Sequence, residues 1–369
     1  MTRTDNLNNF LTDVADSIRE KKGTTELIPA SEFDTEIDSI SSDVDINEYW
    51  NSTIKTDTYV RGVASWVNSI KKLPDDITIS GTSAKKLFYG IPFSKIPLLD
   101  TSNITNMEEM FYNADINEVP LLDTSNVNSM GSMFYGCKNL RNTPLFNTQN
   151  VTNMAGMFNN CTSLESIPQL NTSNVTTMYE MFMQCSKLTT IPLLNTSNVN
   201  NMGSMFLRCS SLKNVPLLDT SNVTSMIQMF NGCNALEEIP QFDMENVQNI
   251  QYMFMDCAKL ETIPELNLNK VFNINGTFNR CANLTNLGGL INFGQALQTT
   301  VSANNGNWKI YLANSNKLTH DSLMNVINGL YDIKTAGCNT QQLTLGSNNI
   351  AKLTAEEIAI ATNKGWSVS

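Results

Sequence analysis

A repeated unit occupies the chain from Pro97 to Leu287 and constrains the fold more than any other feature. Each unit reads approximately Pro-Leu-Leu-Asp-Thr-Ser-Asn-Val-x-x-Met-x-x-Met-Phe-x-x-Cys-x-x-Leu-x-x-Ile. The unit prolines follow one step of 23 residues and then steps of 24, at Pro97, Pro120, Pro144, Pro168, Pro192, Pro216, Pro240 and Pro264. A period of this length is typical of a solenoid.

The spacing inside one unit predicts one helix and one strand. In the unit from Pro192, apolar residues recur at intervals of three and four, as on one face of a short helix: Val199, Met202, Met205, Phe206 and Cys209. Asn198 or Ser197 could cap this helix. The segment Leu212–Leu218 is short, apolar and contains a proline, which favours a brief strand.

Such a unit is too small to bury its own apolar face, so stacking on its neighbours must build the core. Equivalent residues should then form columns. One column holds phenylalanine, at Phe111, Phe134, Phe158, Phe182, Phe206, Phe230, Phe254 and Phe278. A second holds asparagine, at Asn103, Asn126, Asn150, Asn174, Asn198, Asn222 and Asn246, and ends at Lys270.

Seven of the eight cysteines form a third column, at Cys137, Cys161, Cys185, Cys209, Cys233, Cys257 and Cys281. Zinc sites need closely spaced ligands, and His320 is the only histidine in the sequence. Equivalent positions in an odd number cannot all pair as disulfides. We therefore expect buried free thiols, a reducing compartment for folding, and no metal or other cofactor.

Composition narrows the possible partners. The net charge is −11, and Lys and Arg form no stripe along the repeats, which argues against nucleic acid. Residues 1–22 lack the apolar run of a signal peptide, and no stretch reaches the roughly 20 apolar residues of a membrane span. We expect synthesis in the cytoplasm without an export signal and without membrane insertion.

The N-terminal region predicts a small pair of helices in residues 1–45. Their apolar faces would be formed by Leu7, Phe10, Leu11, Val14, Ile18, Phe33, Ile37 and Ile40. Such a pair is too small for a core, so it should pack on a partner chain or on another copy; a disordered leader is the alternative. Residues 46–96 read as a linker followed by an N-terminal cap, with a helix over 56–72, a strand over 77–80 and a repeat-like segment Leu87-Phe88-Tyr89-Gly90.

Residues 97–290 form the predicted solenoid, and residues 291–369 its C-terminal cap. In the cap we predict strands over 308–312, 342–345 and 366–368. We also predict helices over 321–331 and 354–363, the second with Glu356 and Glu357 in its first turn.

The repeat resembles the BspA-like leucine-rich repeats of bacterial surface proteins, including the mycoplasma-type subgroup. The likeness is clearest in Asn150–Pro168 and Asn174–Pro192. It implies an α/β leucine-rich-repeat solenoid of about eight strand-helix units of 23–24 residues with a cap at each end. It also implies a role in adhesion or protein–protein interaction.

The flanks resemble a different class of protein. Asn6–Gly23 with Ile28–Phe33 is similar to the attachment segment of tailed-phage virion proteins, and Thr354–Trp366 resembles the end of phage leucine-rich-repeat proteins. A phage structural protein assembles in the host cytoplasm and needs no export signal. The flanks thus imply a tail, baseplate or receptor-binding component of a bacteriophage, localised to the virion.

Positions that vary between units are the candidate ligand surface, because a solenoid aligns them on one face. They are Tyr112, Tyr135, Tyr179, Met183, Leu207, Arg208, Ile227, Tyr252, Met255 and Arg280. Ordinary solvent-facing positions without a ligand are the alternative. The recurring Asp or Asn that precedes Thr, at Asp100, Asp123, Asn147, Asn171, Asn195, Asp219, Asp243 and Asn267, is predicted to form turns rather than to bind calcium.

No catalytic motif accompanies His320, and no glycine-rich phosphate loop is present. The sequence therefore predicts a non-enzymatic phage virion protein, fastened by its N-terminal helices to other virion proteins. As a homo-oligomer, it would display the solenoid for host attachment through a cell-surface glycan or protein. The alternatives are a bacterial surface adhesin or interaction scaffold, and a head decoration or fibre protein of the phage capsid.

Overall fold

The computed structural model describes residues 53–55, 78–298 and 308–369. Its strands are β1 (Thr53–Lys55), β2 (Thr78–Ser80), β3 (Thr262–Ile263), β4 (Leu266–Asn267), β5 (Asn286–Leu287), β6 (Leu290–Ile291), β7 (Lys309–Tyr311), β8 (Gln341–Thr344) and β9 (Trp366–Val368). Its helices are a 3-10 helix (Gln295–Gln298), α1 (His320–Gly329), α2 (Ser347–Ile350) and α3 (Ala355–Asn363).

The repeats form a continuous stack of parallel coils, one coil per unit. Single parallel bridges join each coil to the next through one column of small polar residues: Ser83, Asn106, Ser129, Asn153, Thr177, Asn201, Ser225, Asn249 and Asn273. The predicted solenoid is therefore confirmed. Ser83 belongs to this column and Phe88 stacks on Phe111, so the predicted cap segment folds as a repeat-like coil.

The prediction of one helix per unit is wrong. In the unit from Pro192, alternate backbone N–H groups of the predicted helix bond to the next coil instead. Ser204 donates to the carbonyl of Ile227 at 2.8 Å, and Phe206 donates to that of Met229 at 2.9 Å. We call this hydrogen-bonded segment the ladder; it recurs as Met-x-x-Met-Phe-x-x in most coils, with Ile250, Ile274 and Thr277 replacing methionine in the last two.

Left-handed backbone conformations explain why the ladder is not helical. Ser204 has φ 55° and Arg208 has φ 61°, and equivalent residues in the other coils behave in the same way. In the same segment, four-residue turns close through bonds such as Met205 N–H to the Met202 carbonyl, 3.2 Å. Each turn brings the next apolar residue back to the interior, which reproduces helix-like spacing, while the left-handed residues prevent a helix from propagating.

The predicted strand Leu212–Leu218 is also wrong for that unit. No backbone N–H from Asn214 to Asp219 donates a backbone hydrogen bond, and Pro216 has no N–H to donate. Only at the C-terminal end of the repeats does this segment pair as strands, β3 with β5 and β4 with β6, all parallel.

The core follows the predicted columns. Phenylalanine rings of successive coils stack with centroids 5.4 to 6.3 Å apart, and every ring from Phe111 to Phe254 is fully buried. The seven cysteines of the column are fully buried, as expected, and each thiol donates to the phenylalanine carbonyl of the preceding coil; Cys209, for example, lies 2.9 Å from the Phe182 carbonyl.

Two further side-chain columns join the coils. The asparagines do not cap helices: Asn198 Nδ2 donates to the Ser173 carbonyl of the preceding coil at 2.7 Å, and its equivalents do the same. Buried threonines donate to the following coil instead, as Thr196 Oγ1 does to the Asp219 carbonyl at 2.8 Å. The predicted turns are confirmed from Asp100 to Asp243, as in Ser197 N–H to Asn195 Oδ1 at 3.1 Å, whereas Asn267 lies on β4.

The C-terminal region has the predicted alternation of strands and helices. The strands β7, β8 and β9 form a parallel sheet, and α1 buries Leu323, Val326 and Ile327. A reciprocal capping box between Thr354 and Glu357 begins α3. The short helix α2 was not predicted.

Candidate recognition surfaces

The outward side chains at the N-terminal end of the ladder stack closely. On the outside of the ladder, the rings of Tyr89, Tyr112 and Tyr135 are 4.8 and 4.4 Å apart. Core phenylalanines in the same coils, Phe88 and Phe111, are 5.5 Å apart. The rings outside the ladder are therefore packed at least as tightly as the core rings beneath them.

All ten predicted surface residues lie on the outer side of the ladder, which we call the ladder face. They occupy two pairs of positions in each coil: the two residues between the methionines and the two residues after phenylalanine. The structure thus brings them onto one face, as the repeat pattern predicts. It does not make them equally accessible.

The N-terminal end of the ladder face carries an aromatic row. The rings of Tyr112 and Tyr135 stack with an interplanar angle of 1°, and Tyr89 continues the row. Lys86 Nζ lies 5.7 Å from the centroid of the Tyr89 ring and 3.2 Å from Glu109 Oε2. Partial burial raises the pKa of the Tyr112 hydroxyl, with Tyr135 contributing, so Tyr112 stays neutral around pH 7.

An ionic cluster adjoins the aromatic row. Lys85 Nζ lies 2.7 Å from Glu108 Oε2, and the Ser129 hydroxyl donates to Glu108 Oε1 at 2.8 Å. The hydrogen bond from Lys85 is the largest cause of the lowered pKa of Glu108, which keeps the carboxylate ionised. This end of the face therefore combines aromatic and charged groups.

In the middle of the ladder face, large side chains lean over glycines of adjacent coils. A Cβ atom on Gly203 would meet Tyr179 Cδ2 at 3.3 Å and Ile227 Cγ2 at 3.1 Å, so these two side chains flank Gly203 from either side. The Tyr252 ring covers Gly276 in the same manner. Tyr179 is 39% exposed and is the most accessible of these residues.

The remaining predicted residues divide into buried and charged positions. Leu207 is only 8% exposed, which corrects its prediction as a solvent-facing contact: it is flanked by coils on both sides and is shorter than the tyrosines of its row. Met183 and Met255 are half-buried. Arg208 and Arg280 are exposed three coils apart, and Arg280 pairs with Asp256 at 3.3 Å.

Sequence reasoning missed a second surface. In five of the eight units the residue after the unit proline is an outward-pointing leucine, with exposures of 60 to 71%: Leu98, Leu121, Leu145, Leu193 and Leu217. The prolines beside them are half-buried. We call this strip the leucine ridge. A signal was present, because two adjacent leucines in an extended segment face opposite sides, so only one of each Leu-Leu pair can enter the core.

The other predicted sites add nothing to these two surfaces. The proposed attachment residues Leu7, Phe10, Leu11, Val14, Ile18, Phe33, Ile37 and Ile40, and the helix predicted over 56–72, lie outside the described residues. His320 is exposed, and its Nε2 lies 2.9 Å from Glu357 Oε1.

Within the described ranges, no three His, Cys, Asp or Glu side chains are grouped so that they could hold a metal ion. None of the helices in the same ranges has the length and apolar character that a membrane crossing requires.

A family model described as "Mycoplasma protein of unknown function, DUF285" matches the chain in three overlapping segments, residues 82–191, 105–217 and 187–289. Together they span more than half of the chain. No curated protein is significantly similar in sequence.

Among solved structures, the chain is similar to leucine-rich repeat proteins. The T. pallidum protein TpLRR is 22% identical, with 51% of this chain and 85% of that chain covered and a TM-score of 0.35. A leucine-rich repeat protein from Bacteroides ovatus is 16% identical, with 86% and 75% covered and a TM-score of 0.37. The pneumococcal vaccine antigen PcpA is 14% identical, with 86% and 77% covered and the same TM-score.

Proposed function

The chain belongs to the DUF285 family of Mycoplasma proteins of unknown function, and we propose that it is a non-enzymatic, adhesin-type recognition protein whose ladder face binds a protein or glycan. One observation carries the proposal. The backbone of the ladder face is the same in every coil, whereas its outward side chains differ from coil to coil. A surface built in this way can change its ligand without changing its fold.

The fixed backbone gives the face rigidity. Each coil donates a series of backbone hydrogen bonds to the next, such as Phe158 N–H to the Met181 carbonyl at 2.9 Å, and the buried columns hold the spacing. Outward side chains are therefore held in place before a ligand arrives, which lowers the entropic cost of binding.

The variable side chains are of the kinds that dominate recognition surfaces. Tyrosine and arginine are enriched among residues that contribute most to binding, and the face carries Tyr112, Tyr135, Tyr179, Arg208 and Arg280. At its N-terminal end, the tyrosine row lies beside the Lys86–Glu109 ion pair, so aromatic and charged groups lie close together there.

A double substitution tests this proposal. We expect Tyr112→Ala with Tyr135→Ala to reduce binding of the fluorescently labelled protein to intact cells in flow cytometry, across a panel of bacterial and animal cells. Tyr311→Ala is the control, because Tyr311 lies on β7 and outside the ladder face. Prior treatment of the cells with protease or with glycosidase separates a protein from a glycan ligand. Equal binding by a folded double variant and by wild type would contradict the proposal.

The location of the protein is also part of the proposal. We place first a bacterial surface adhesin or interaction scaffold, the role that the resemblance of the repeat to BspA-like surface proteins implies, and the flanking sequences predict a phage virion component as the alternative. Electron microscopy with antibody labelling separates them: label on intact cells supports the first, and label on purified particles supports the second. In the second case, removal of residues 1–45 should abolish incorporation into particles. A homo-oligomer is expected in either setting.

A further inference from the structure

The leucine ridge is an apolar strip with no partner among the described residues. Its five leucines keep 60 to 71% of their surface exposed, and the half-exposed unit prolines lie next to them. Single exposed leucines are ordinary, but five of them within six successive coils form an apolar strip, and such strips mark interaction sites. The ridge lies outside the ladder face, so it is not part of the surface proposed above.

Interruptions of the ridge are chemically mild. Gln169 stands in place of leucine in the middle unit, and its Nε2 donates to the Leu193 carbonyl of the next coil at 2.6 Å. Gln241 repeats this bond with the Glu265 carbonyl at 2.7 Å. A shallow depression beside Gln169 is lined by Leu193, Leu217 and the Asp and Asn column, so the leucines and that column share one surface.

Charge varies along this surface. The exposed residues two positions after the ridge column are Asp100 and Asp123 in the first two coils, Asn147, Asn171 and Asn195 in the middle three, and Asp219 and Asp243 in the next two; the last coil carries Asn267 in this column and Glu265 in the ridge column. Serine side chains hydrogen-bond Asp100, Asp123 and Asp219 and lower the pKa of each, so these carboxylates remain ionised. The ridge is therefore neutral in its middle and acidic at both ends.

We infer that the leucine ridge binds an amphipathic α-helix of a partner protein, with an apolar middle and basic residues towards both ends. The acidic ends and neutral centre complement such a helix. A helix also satisfies its own backbone hydrogen bonds, so it can lie on a strip that offers mainly apolar contact.

The dimensions of the stack fit this occupant. Core rings of adjacent coils between Phe88 and Phe230 are 5.4 to 5.7 Å apart, close to the helix pitch of about 5.4 Å. A helix parallel to the stack would therefore present about one apolar residue per turn to each coil. Five coil steps separate Leu98 from Leu217, which corresponds to a helix of about 18 residues.

A second copy of the chain is disfavoured by the same charges. A two-fold pairing of ridges about the midpoint of the strip, between Leu145 and Gln169, would bring Asp100 of one copy towards Asp219 of the other. Like charges at both ends would then oppose each other. An anionic membrane surface would be repelled for the same reason.

The chain itself suggests substitutions that preserve the fold. Glutamine already occupies the leucine column at Gln169, and asparagine already occupies the aspartate column at Asn171. The test variants are therefore Leu145→Gln with Leu193→Gln, and Asp123→Asn with Asp219→Asn. Circular dichroism and thermal melting should match those of wild type for both.

The probe is a synthetic 18-residue helical peptide with a leucine face and lysines at both ends, followed by fluorescence anisotropy. We expect wild type to bind it, the leucine variant to bind about tenfold or more weakly, and the aspartate variant to bind more weakly with reduced salt dependence. A matched peptide with glutamates at its ends should not bind.

Equal binding of both peptides, or full binding by either variant, would overturn the inference. Two further results would replace it: dimerisation of wild type in analytical ultracentrifugation that the leucine variant abolishes, or association with phosphatidylserine vesicles. The ladder-face variant Tyr112→Ala with Tyr135→Ala should bind the basic peptide normally, which keeps this test separate from that of the proposed function.

Discussion

Two buried threonines should respond in opposite ways to the same substitution. Thr196 is 1% exposed, and its hydroxyl donates to the Asp219 carbonyl of the next coil at 2.8 Å. Thr143 is 8% exposed, and its hydroxyl has no hydrogen-bond partner among the described residues. Thr143 also stands in a column that is otherwise apolar, with Val119 and Ile167 in the neighbouring coils.

Replacement by valine keeps the side-chain shape and removes only the hydroxyl. Thr196→Val leaves the Asp219 carbonyl without its partner, which should cost about 1–3 kcal/mol in the free energy of unfolding. Thr143→Val removes a buried hydroxyl that makes no bond, which should stabilise by a similar amount, about 1–3 kcal/mol. The two variants should thus differ by several times the error of a denaturation experiment.

Urea denaturation followed by circular dichroism measures both changes, provided that the slope of the transition is unchanged. Because arrays of repeats can unfold in steps, amide hydrogen exchange should confirm that the effect is local to the substituted coil. Thr196→Ser is the control: it keeps the hydroxyl and should lose only about 1 kcal/mol for the missing methyl group. Destabilisation of equal size by both valine substitutions would refute the reasoning, because it would show that the threonine hydrogen bonds contribute nothing specific.

Three further predictions concern charge and the side-chain columns. Burial raises the pKa of every thiol in the cysteine column, to about 12 for Cys281. The thiols of the unfolded chain ionise at pH ~8.5, so the free energy of unfolding should be highest below that pH and should fall as the pH rises towards 12. At pH 8, iodoacetamide should label half-buried Cys338 while the seven column thiols react only after unfolding, and equal rates would argue against their burial. The pKa of His320 is raised by its hydrogen bond to Glu357, with Asp321 adding to it, so any stability it adds is present below pH ~6.5 and lost as pH rises through the raised pKa. In an NMR titration Glu357→Gln should lower this pKa, and an unchanged value would exclude the contact. Asn198→Ala should cost about 1 kcal/mol in urea denaturation, whereas Lys270→Asn, which extends the asparagine column, should not destabilise; the reverse order would refute the role of the column.

The sequence predicted the stacking of the repeats but not the conformation of each unit. Identical residues that recur at a fixed spacing must form columns in a stack of repeats, whichever backbone conformation each unit adopts. The phenylalanine and cysteine columns could therefore be predicted directly. The helix prediction failed because intervals of three and four between Val199 and Cys209 are also produced by successive four-residue turns. The deciding feature is the left-handed conformation at Ser204 and Arg208, and neither residue type signals it.

The asparagine column shows the same limit of sequence-based prediction. Asn198 precedes an apolar stripe, as a helix cap would, yet its amide bonds to a carbonyl in the preceding coil. Local reasoning cannot distinguish the two roles, because both satisfy a polar group beside the same segment. In the C-terminal region, by contrast, α1 and α3 have ordinary caps and periodicity, and both were predicted within a few residues.

The left-handed residues also bear on why two different surfaces can coexist. A non-glycine residue in this conformation costs about 1–2 kcal/mol, and each coil has two left-handed positions, of which at least one is not glycine. Inter-coil hydrogen bonds on the ladder offset that cost, and they involve the backbone alone, so they place no demand on the outward side chains. On the ridge side most coils lack a backbone ladder, and threonine and glutamine side chains join them instead. Variation is therefore least costly on the ladder face, whereas the ridge is tied to the repeat itself, which suits a changeable ligand on the first surface and a constant partner on the second.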